Sequence, residues 1–158
     1  MPLIYLSGPL TGTAVRDDNW RADVRRKLPP TFAFFDPSLQ AADRGIGYQE
    51  KLTPLEDLER LRHGKFVVDR NRHYIAKSDA LLCNFLQTKD RVSIGSVGEI
   101  HWANASNVPI IMVREQHGNI HDHAILNAIA SKLCFSLDDA CRVLAEMFNK
   151  GAKKRASQ

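Results

Sequence analysis

No cysteine pair in this 158-residue chain sits at a metal-binding or redox spacing. Its three cysteines, Cys83, Cys134 and Cys141, match neither a CxxC nor a zinc-ribbon pattern, so they read as buried or inert thiols in a reducing compartment. The longest apolar runs, such as Ala80 to Cys83 and Val108 to Val113, are far too short to span a bilayer, and no membrane partner is expected. No charged start followed by an apolar stretch and a small-residue cleavage site occurs, so the expected compartment is the cytoplasm. Charge of one sign is also scarce. The 22 basic and 18 acidic residues leave +4, which suits an anionic small molecule as well as a polynucleotide. Neither GxGxxG nor GxxxxGK[ST] is present, which removes the main support for dinucleotide-cofactor and NTPase readings. No cofactor is expected.

What the chain does contain is ordinary for a globular protein: 44% apolar and 25% charged residues exclude disordered and fibrous classes. The length predicts one domain over residues 1–150, followed by a basic tail over 151–158 that reads as a solvated, flexible terminus. Leu3 to Leu6 is an apolar run ending at Ser7-Gly8-Pro9, a buried strand and a turn. Asp17 to Leu28 is a polar helix with Trp20, Val24 and Leu28 four apart, and Pro29-Pro30 stops it. Thr31 to Phe35 reads as a second strand, and Ser38 to Thr53 as a loop long enough to suggest a function. Leu55 to Leu61 reads as one or two helical turns, Val67 to Lys77 as a better helix, and Ala80 to Leu86 as a third strand.

Gly95 to Asn107 is predicted helical, Val108 to Val113 a strand, Asp122 to Ala130 a helix and Lys132 to Phe135 a fifth strand. Ser136 opens the last helix, with Asp139 placed to complete a capping box. Strands alternating with helices, with continuous apolar strands, indicate a parallel α/β sheet covered on both faces. Ligands of such sheets bind outside the carboxyl ends of the strands. That rule points to Ser7 to Gly12 and to the residues after Leu86 and after Val113.

The most informative stretch is Ser93-Ile94-Gly95-Ser96-Val97-Gly98-Glu99, between a strand and a helix. Free backbone N–H groups at a helix start bind anions, Ser93 and Ser96 add hydroxyls, and the glycines admit a ligand close to the backbone. Glu99 is expected in the first helical turn. A purely structural reading stands beside this one, because Ser96 and Glu99 have the spacing of a capping box.

Tyr5-Leu6-Ser7-Gly8-Pro9, Ser78-Asp79-Ala80, and Ser93-Ile94-Gly95 with Glu99 and Asn107-Val108-Pro109-Ile110 together resemble the nucleoside 2-deoxyribosyltransferase family. Its relatives include the 2′-deoxynucleoside 5′-monophosphate N-glycosidases. The resemblance runs from Leu3 to about Val113 and includes the closing helix. It implies a three-layer, flavodoxin-like, doubly wound parallel sheet of five strands. It also implies homo-oligomers, with pockets completed by a neighbouring copy.

The resemblance further implies that Glu99 is a nucleophile attacking the anomeric carbon to form a glycosyl ester, as in retaining glycosidases. Tyr5 matches the tyrosine that orients this glutamate, although a strand aromatic needs no such role. Asn71 stands eight residues before Asp79, where many members carry an acid that contacts the nucleobase. An asparagine hydrogen-bonds a base but supplies no proton. Either Asp69 supplies it or the base leaves with less help; Asp69 reads equally as an ordinary residue of the helix start.

Ser93, six residues before Glu99, matches the serine of the monophosphate-hydrolysing branch, whereas the nucleoside-using branch typically has an aspartate there. A serine at a helix N-terminus accommodates a phosphate that a carboxylate would repel. Ser7, Gly8 and the amides through Gly12 are further candidates on the substrate's other side, with Gly95 and Ser96 beside Ser93.

His117, His121, Asp122 and His123 have a spacing compatible with zinc ligation, but Asp122 also reads as a helix N-cap, and the implied chemistry needs no metal. Tyr48 is a candidate for stacking on a base, and Trp102 reads as packing. The expected activity is cleavage of the N-glycosidic bond of a small 2′-deoxynucleoside or its 5′-monophosphate, with transfer to another base or to water. A polynucleotide partner is not expected. The rival reading is a catalytically impaired nucleotide-binding sensor or interaction module, and Asn71 is the feature that sustains it.

Overall fold

Five short runs of mostly apolar residues make the sheet; the three in its middle bury nearly every side chain, and the two at its edges are only partly buried. The structure is a computed structural model that describes residues 1–9, 20–39 and 54–155. The strands are β1 (Leu3–Ser7), β2 (Ala33–Phe35), β3 (Ala80–Asn84), β4 (Ile110–Val113) and β5 (Lys132–Cys134). All neighbours pair in parallel, in the order β2-β1-β3-β4-β5. The helices are α1 (Trp20–Lys27), α2 (Pro54–Lys77), α3 (Ile94–Ala105), α4 (Ala124–Ile129) and α5 (Leu137–Arg155). This is the three-layer, flavodoxin-like parallel sheet of five strands that the family resemblance implies.

Successive side chains of a strand point to opposite faces, so the sheet builds two cores. Ile4, Leu6, Ala80, Leu82, Ile111 and Val113 pack against α1 and α5. Tyr5, Leu81, Cys83, Ile110 and Met112 face α2, α3 and α4, with Ile75, Ile100, Ala103 and Leu126 supplied from the helices. The alternation therefore sends Tyr5 and Ser7 to the face covered by α2 and α3. The strand order reverses direction between β1 and β3, and the crevice at their carboxyl ends is the switch point where such folds bind ligands.

Two expectations change in the region before β3. Residues 54–77 form one helix of 24 residues rather than a short turn and a separate helix. Gly64 is accommodated inside it, at a cost of about 1 kcal/mol relative to alanine. At 1.5 Å per residue α2 is roughly 36 Å long, and up to Phe66 it turns Leu55, Leu58, Leu61 and Phe66 outward, each at least 45% exposed. The expected loop Ser38 to Thr53 begins with a 3₁₀ turn over Pro37–Leu39; the rest of it from residue 40, with Tyr48, lies outside the described residues, as do 10–19. At the other end α5 begins as expected, with the Asp139 N–H donating to Ser136 Oγ at 3.1 Å. It continues past Gly151 to Arg155, into the stretch expected as a tail.

The Ser78-Asp79-Ala80 motif closes α2 and fastens β1. Ser78 Oγ donates to the Tyr74 carbonyl at 2.8 Å, and Asp79 Oδ2 accepts the Leu3 N–H at 2.8 Å. The Asp79 N–H in turn donates to the Leu3 carbonyl, which extends the β1–β3 ladder by one rung.

Candidate active site

Glu99 lies at the switch point, where α3 crosses the end of β1. Helix α3 begins at Ile94 with Ser93 as its N-cap, so Glu99 falls in the second turn rather than the first. Ser96 is inside the helix, and the Ser96–Glu99 capping box is not formed. The Glu99 side chain points inward instead and is only 9% exposed.

A buried carboxylate needs donors, and three converge on this one. Tyr5 Oη donates to Oε1 at 2.7 Å and Ser7 Oγ to Oε2 at 2.5 Å, both from β1. Asn71 Nδ2, from the buried face of α2, donates to Oε1 at 3.1 Å. Arg70 donates from Nε and a terminal nitrogen to Asn71 Oδ1, at 3.1 and 2.7 Å, which fixes the amide with its N–H₂ toward Glu99. The Tyr5 ring is stacked on Phe35 at 5.3 Å, and Phe35 on Tyr74 at 3.9 Å, which steadies the phenol.

Burial pushes the Glu99 carboxyl above its ordinary value of 4.5, while the hydrogen bonds from Ser7, Tyr5 and Asn71 and the charge of Arg21 pull it back. Arg21 escapes the sequence reading altogether. It sits in a helix whose other arginines, Arg25 and Arg26, look like an ordinary solvated face. Yet Arg21 is 8% exposed, donates to the Gly8 carbonyl at 3.1 Å and pairs with Asp36 at 3.3 Å. Cys83, against Ser7, is fully buried, and burial pushes its thiol far above the usual range, leaving it neutral.

Gly8 has a packing reason to be glycine. A Cβ there would stand 2.9 Å from the Asn84 carbonyl oxygen and 3.0 Å from the Trp20 ring. The β1 turn thus presses directly on the end of β3. Gly95 is the opposite case: among the described residues a Cβ would meet nothing within 4 Å, so the first turn of α3 is open toward them at that point.

Ser93 is half-buried beside that opening. Its hydroxyl does not cap α3; it pairs with Ser96 Oγ at 2.9 Å, while the Ser93 N–H donates to His121 Nε2 at 2.9 Å. Asp69 is not brought to Glu99. Two residues from Asn71 on the same helix, it lies on a different face, is exposed, and pairs with Lys65. It borders a separate groove of about 330 Å³ with Arg72, His73, Trp102 and Ser106.

The histidine-rich stretch is dispersed. His121 is 1% exposed and stacked on Phe85, whereas His123 caps α4 by accepting the Ile125 N–H at 3.3 Å. The expected N-cap, Asp122, is displaced from that role because it accepts from Arg114 at 2.7 Å and from Asn127 at 2.9 Å. Among the described residues no three His, Cys, Asp or Glu side chains group to hold a metal ion.

One solved structure aligns with the chain over 87% of its length and 88% of the other's, with a TM-score of 0.59 at 15% identity. It is a 2-deoxyribosyltransferase of Bacillus psychrosaccharolyticus. The fold is shared with that enzyme. A CMP N-glycosidase of Clostridium botulinum aligns over 90% of this chain and 97% of its own, with a TM-score of 0.52 at 14% identity. No protein-family model and no curated protein matches the chain. The two neighbours are enzymes, and what they share with this chain is the fold.

Proposed function

We propose that the protein cleaves the N-glycosidic bond of a 2′-deoxynucleoside or its 5′-monophosphate, with Glu99 as the nucleophile. The observation that carries this reading is a buried glutamate at the switch point receiving three side-chain hydrogen bonds, from Tyr5, Ser7 and Asn71. The activities of the two fold neighbours, on a deoxyribosyl group and on a CMP N-glycosidic bond, are consistent with it.

In the first half-reaction a Glu99 oxygen attacks C1′ of the sugar, and the C1′–N bond breaks with its electron pair passing to the base. Tyr5, Ser7 and Asn71 keep the carboxylate ionised and aimed. Their pull on its charge weakens as the glycosyl ester forms, so they also make the ester a reversible intermediate. Among the described residues no second acid stands beside Glu99 and Asp69 pairs with Lys65, so on this reading the base leaves with less help and its nitrogen takes a proton from solvent. A base or water then attacks the ester, giving transfer or hydrolysis.

The Ser93 and Ser96 hydroxyls and the open N–H groups of the first α3 turn form the seat for a 5′-phosphate. Gly95 leaves that seat clear. The deciding experiment incubates the protein with matched deoxynucleosides and deoxynucleoside 5′-monophosphates, with and without a free acceptor base, and follows base release. Quenched samples are weighed for a glycosyl adduct on the Glu99 peptide. Absence of both base release and adduct across the panel refutes the reading. It would leave the nucleotide-binding sensor, which the asparagine at position 71 favours, to be tested by ligand titration.

A further inference from the structure

His121 is buried more completely than any catalytic candidate except Tyr5 and Ser7, yet it lies outside the Glu99 cluster. Its ring is stacked on Phe85 with centroids 3.8 Å apart and planes 8° from parallel. Its backbone N–H donates to Asn119 Oδ1 at 2.8 Å, and Asn119 Nδ2 reaches the Phe85 carbonyl at 2.8 Å and Glu115 at 2.5 Å. Glu115 completes the strap by accepting the Gln87 N–H at 2.7 Å. The connection after β4 therefore clamps the connection after β3 at several points, and the last of them is the bond from the Ser93 N–H to His121 Nε2.

That bond fixes the tautomer. Nε2 accepts, so the neutral ring carries its proton on Nδ1, which is buried without a hydrogen-bond partner among the described residues. We propose that neutral His121 is a positioning residue for the first turn of α3, and that its protonation releases Ser93 and weakens binding of a 5′-phosphate. The proposal rests on the reading of Ser93 and Ser96 as the phosphate seat. An imidazolium would turn an N–H toward the Ser93 N–H, two donors facing one another. The stack on Phe85 and the grip of Asn119 hold the ring, so Ser93 gives way and its hydroxyl leaves Ser96.

Among the described residues no neighbouring charge compensates. On the β4–α4 connection Glu115 is engaged by Asn119 and Gln87, Asp122 by Arg114 and Asn127, His117 is exposed, and His123 caps α4. Lys89, Asp90 and Arg91 of the β3–α3 connection are exposed. On α3, Glu99 is held by its own cluster, and His101 Nδ1 is within 2.8 Å of the Val97 carbonyl. Burial lowers the pKa of the ring below the ordinary 6.5, so the release belongs to mildly acidic conditions.

The test compares wild type with His121→Gln, whose amide oxygen still accepts the Ser93 N–H but takes up no proton in this range. For a deoxynucleoside 5′-monophosphate, the ratio of wild-type to variant KM should be constant above pH 7 and rise about three- to tenfold on acidification, the effect of losing one ordinary hydrogen bond. The kcat ratio should stay flat, and taking ratios cancels the titration of the substrate's own phosphate. His121→Phe, which keeps an aromatic stack but loses the acceptor, should raise KM at every pH. A flat KM ratio overturns the proposal. So does a falling one, which would mean that the imidazolium attracts the phosphate. A second readout is independent of turnover: in wild type the Ser93 amide resonance should titrate together with the His121 ring nitrogens, and in His121→Gln it should not. A Ser93 amide that ignores the ring's titration overturns the positioning role even if the protein is an active glycosidase. An amide that follows it in a protein without glycosidic activity supports the role and places the failure in the proposed function.

Discussion

Ser7 and Glu99, 92 positions apart in the sequence, meet at 2.5 Å because β1 lies beside β3 and α3 doubles back over the end of the pair. Neither residue has that partner locally. The geometry depends on the parallel register of Ser7 with Cys83, which brings the last residue of β1 level with the strand that feeds α3.

Replacing Glu99 by glutamine should separate chemistry from stability. We predict a fall in turnover on the order of a thousandfold or more, at least about 4 kcal/mol of barrier, while the fold persists. Ionising a glutamate whose folded pKa lies above 4.5 opposes folding. Its favourable contribution is therefore complete below the unfolded pKa and is lost as pH rises through the folded one. Glu99→Gln should then be more stable than wild type at pH 7, and the advantage should shrink toward pH 4. Urea melts at the two values measure it, and a variant less stable at pH 7 than at pH 4, relative to wild type, contradicts the assignment.

Tyr5→Phe and Ser7→Ala each remove a donor that lowers the Glu99 pKa. The acidic limb of kcat/KM should move to higher pH in both, with Ser7→Ala giving the larger shift because its hydrogen bond acts more strongly on the carboxyl. Rates on the plateau should fall about ten- to a hundredfold, as for loss of hydrogen bonds to a charged group. Unchanged pH profiles would mean that the two hydroxyls serve packing alone.

Asn71→Asp brings a second carboxyl to within reach of Glu99 Oε1, where the amide now donates at 3.1 Å. Two carboxyls at that separation share a proton, so one of them becomes an acid. We predict a bell-shaped pH profile in place of a single acidic limb, and a gain in rate for substrates with poor leaving bases. Asp69→Asn should leave the profile as it is. A collapse in that variant would return the proton-donor role to Asp69 despite its pairing with Lys65.

Gly95→Ala should affect folding and binding in opposite directions. Among the described residues a Cβ meets no atom within 4 Å, so an alanine in the helix should add about 0.4–1 kcal/mol of stability. The same methyl obstructs the amides of the phosphate seat, so KM for the monophosphate should rise more than KM for the nucleoside. Thermal melts and paired kinetics decide it, and equal changes in the two KM values would move the phosphate elsewhere.

The strands were legible because a buried parallel strand is a continuous apolar run, and each of the five was located within a few residues. The stretch of α2 up to Phe66 was not, because Leu55, Leu58, Leu61 and Phe66 face outward, so their spacing marks no core, and Gly64 interrupts the pattern. At the site, Glu99, Tyr5, Ser93 and Asn71 were reached through short motifs. Ser7 is a sequence candidate on the substrate's other side from Ser93, and the structure shows it bonding Glu99 directly. Arg21 and His121 owe their roles to contacts with Asp36, Gly8, Phe85 and Ser93; nothing near Arg21 in sequence distinguishes it, and the histidine-rich spacing around His121 points to a metal rather than to Ser93.

The pressure of the Gly8 turn on Asn84 has a consequence for how this chain tolerates change. In a saturated library sorted only for folded protein, position 8 should return glycine almost alone, since any side chain drives an atom into the β3 backbone. Positions 64 and 95, where a Cβ meets no described residue, should admit many residues in the same sort. Adding a second sort for deoxynucleotide cleavage should leave 8 and 64 as they were and restore glycine at 95. The three glycines would then record different histories: one kept by the fold, one free to drift, and one kept by the ligand.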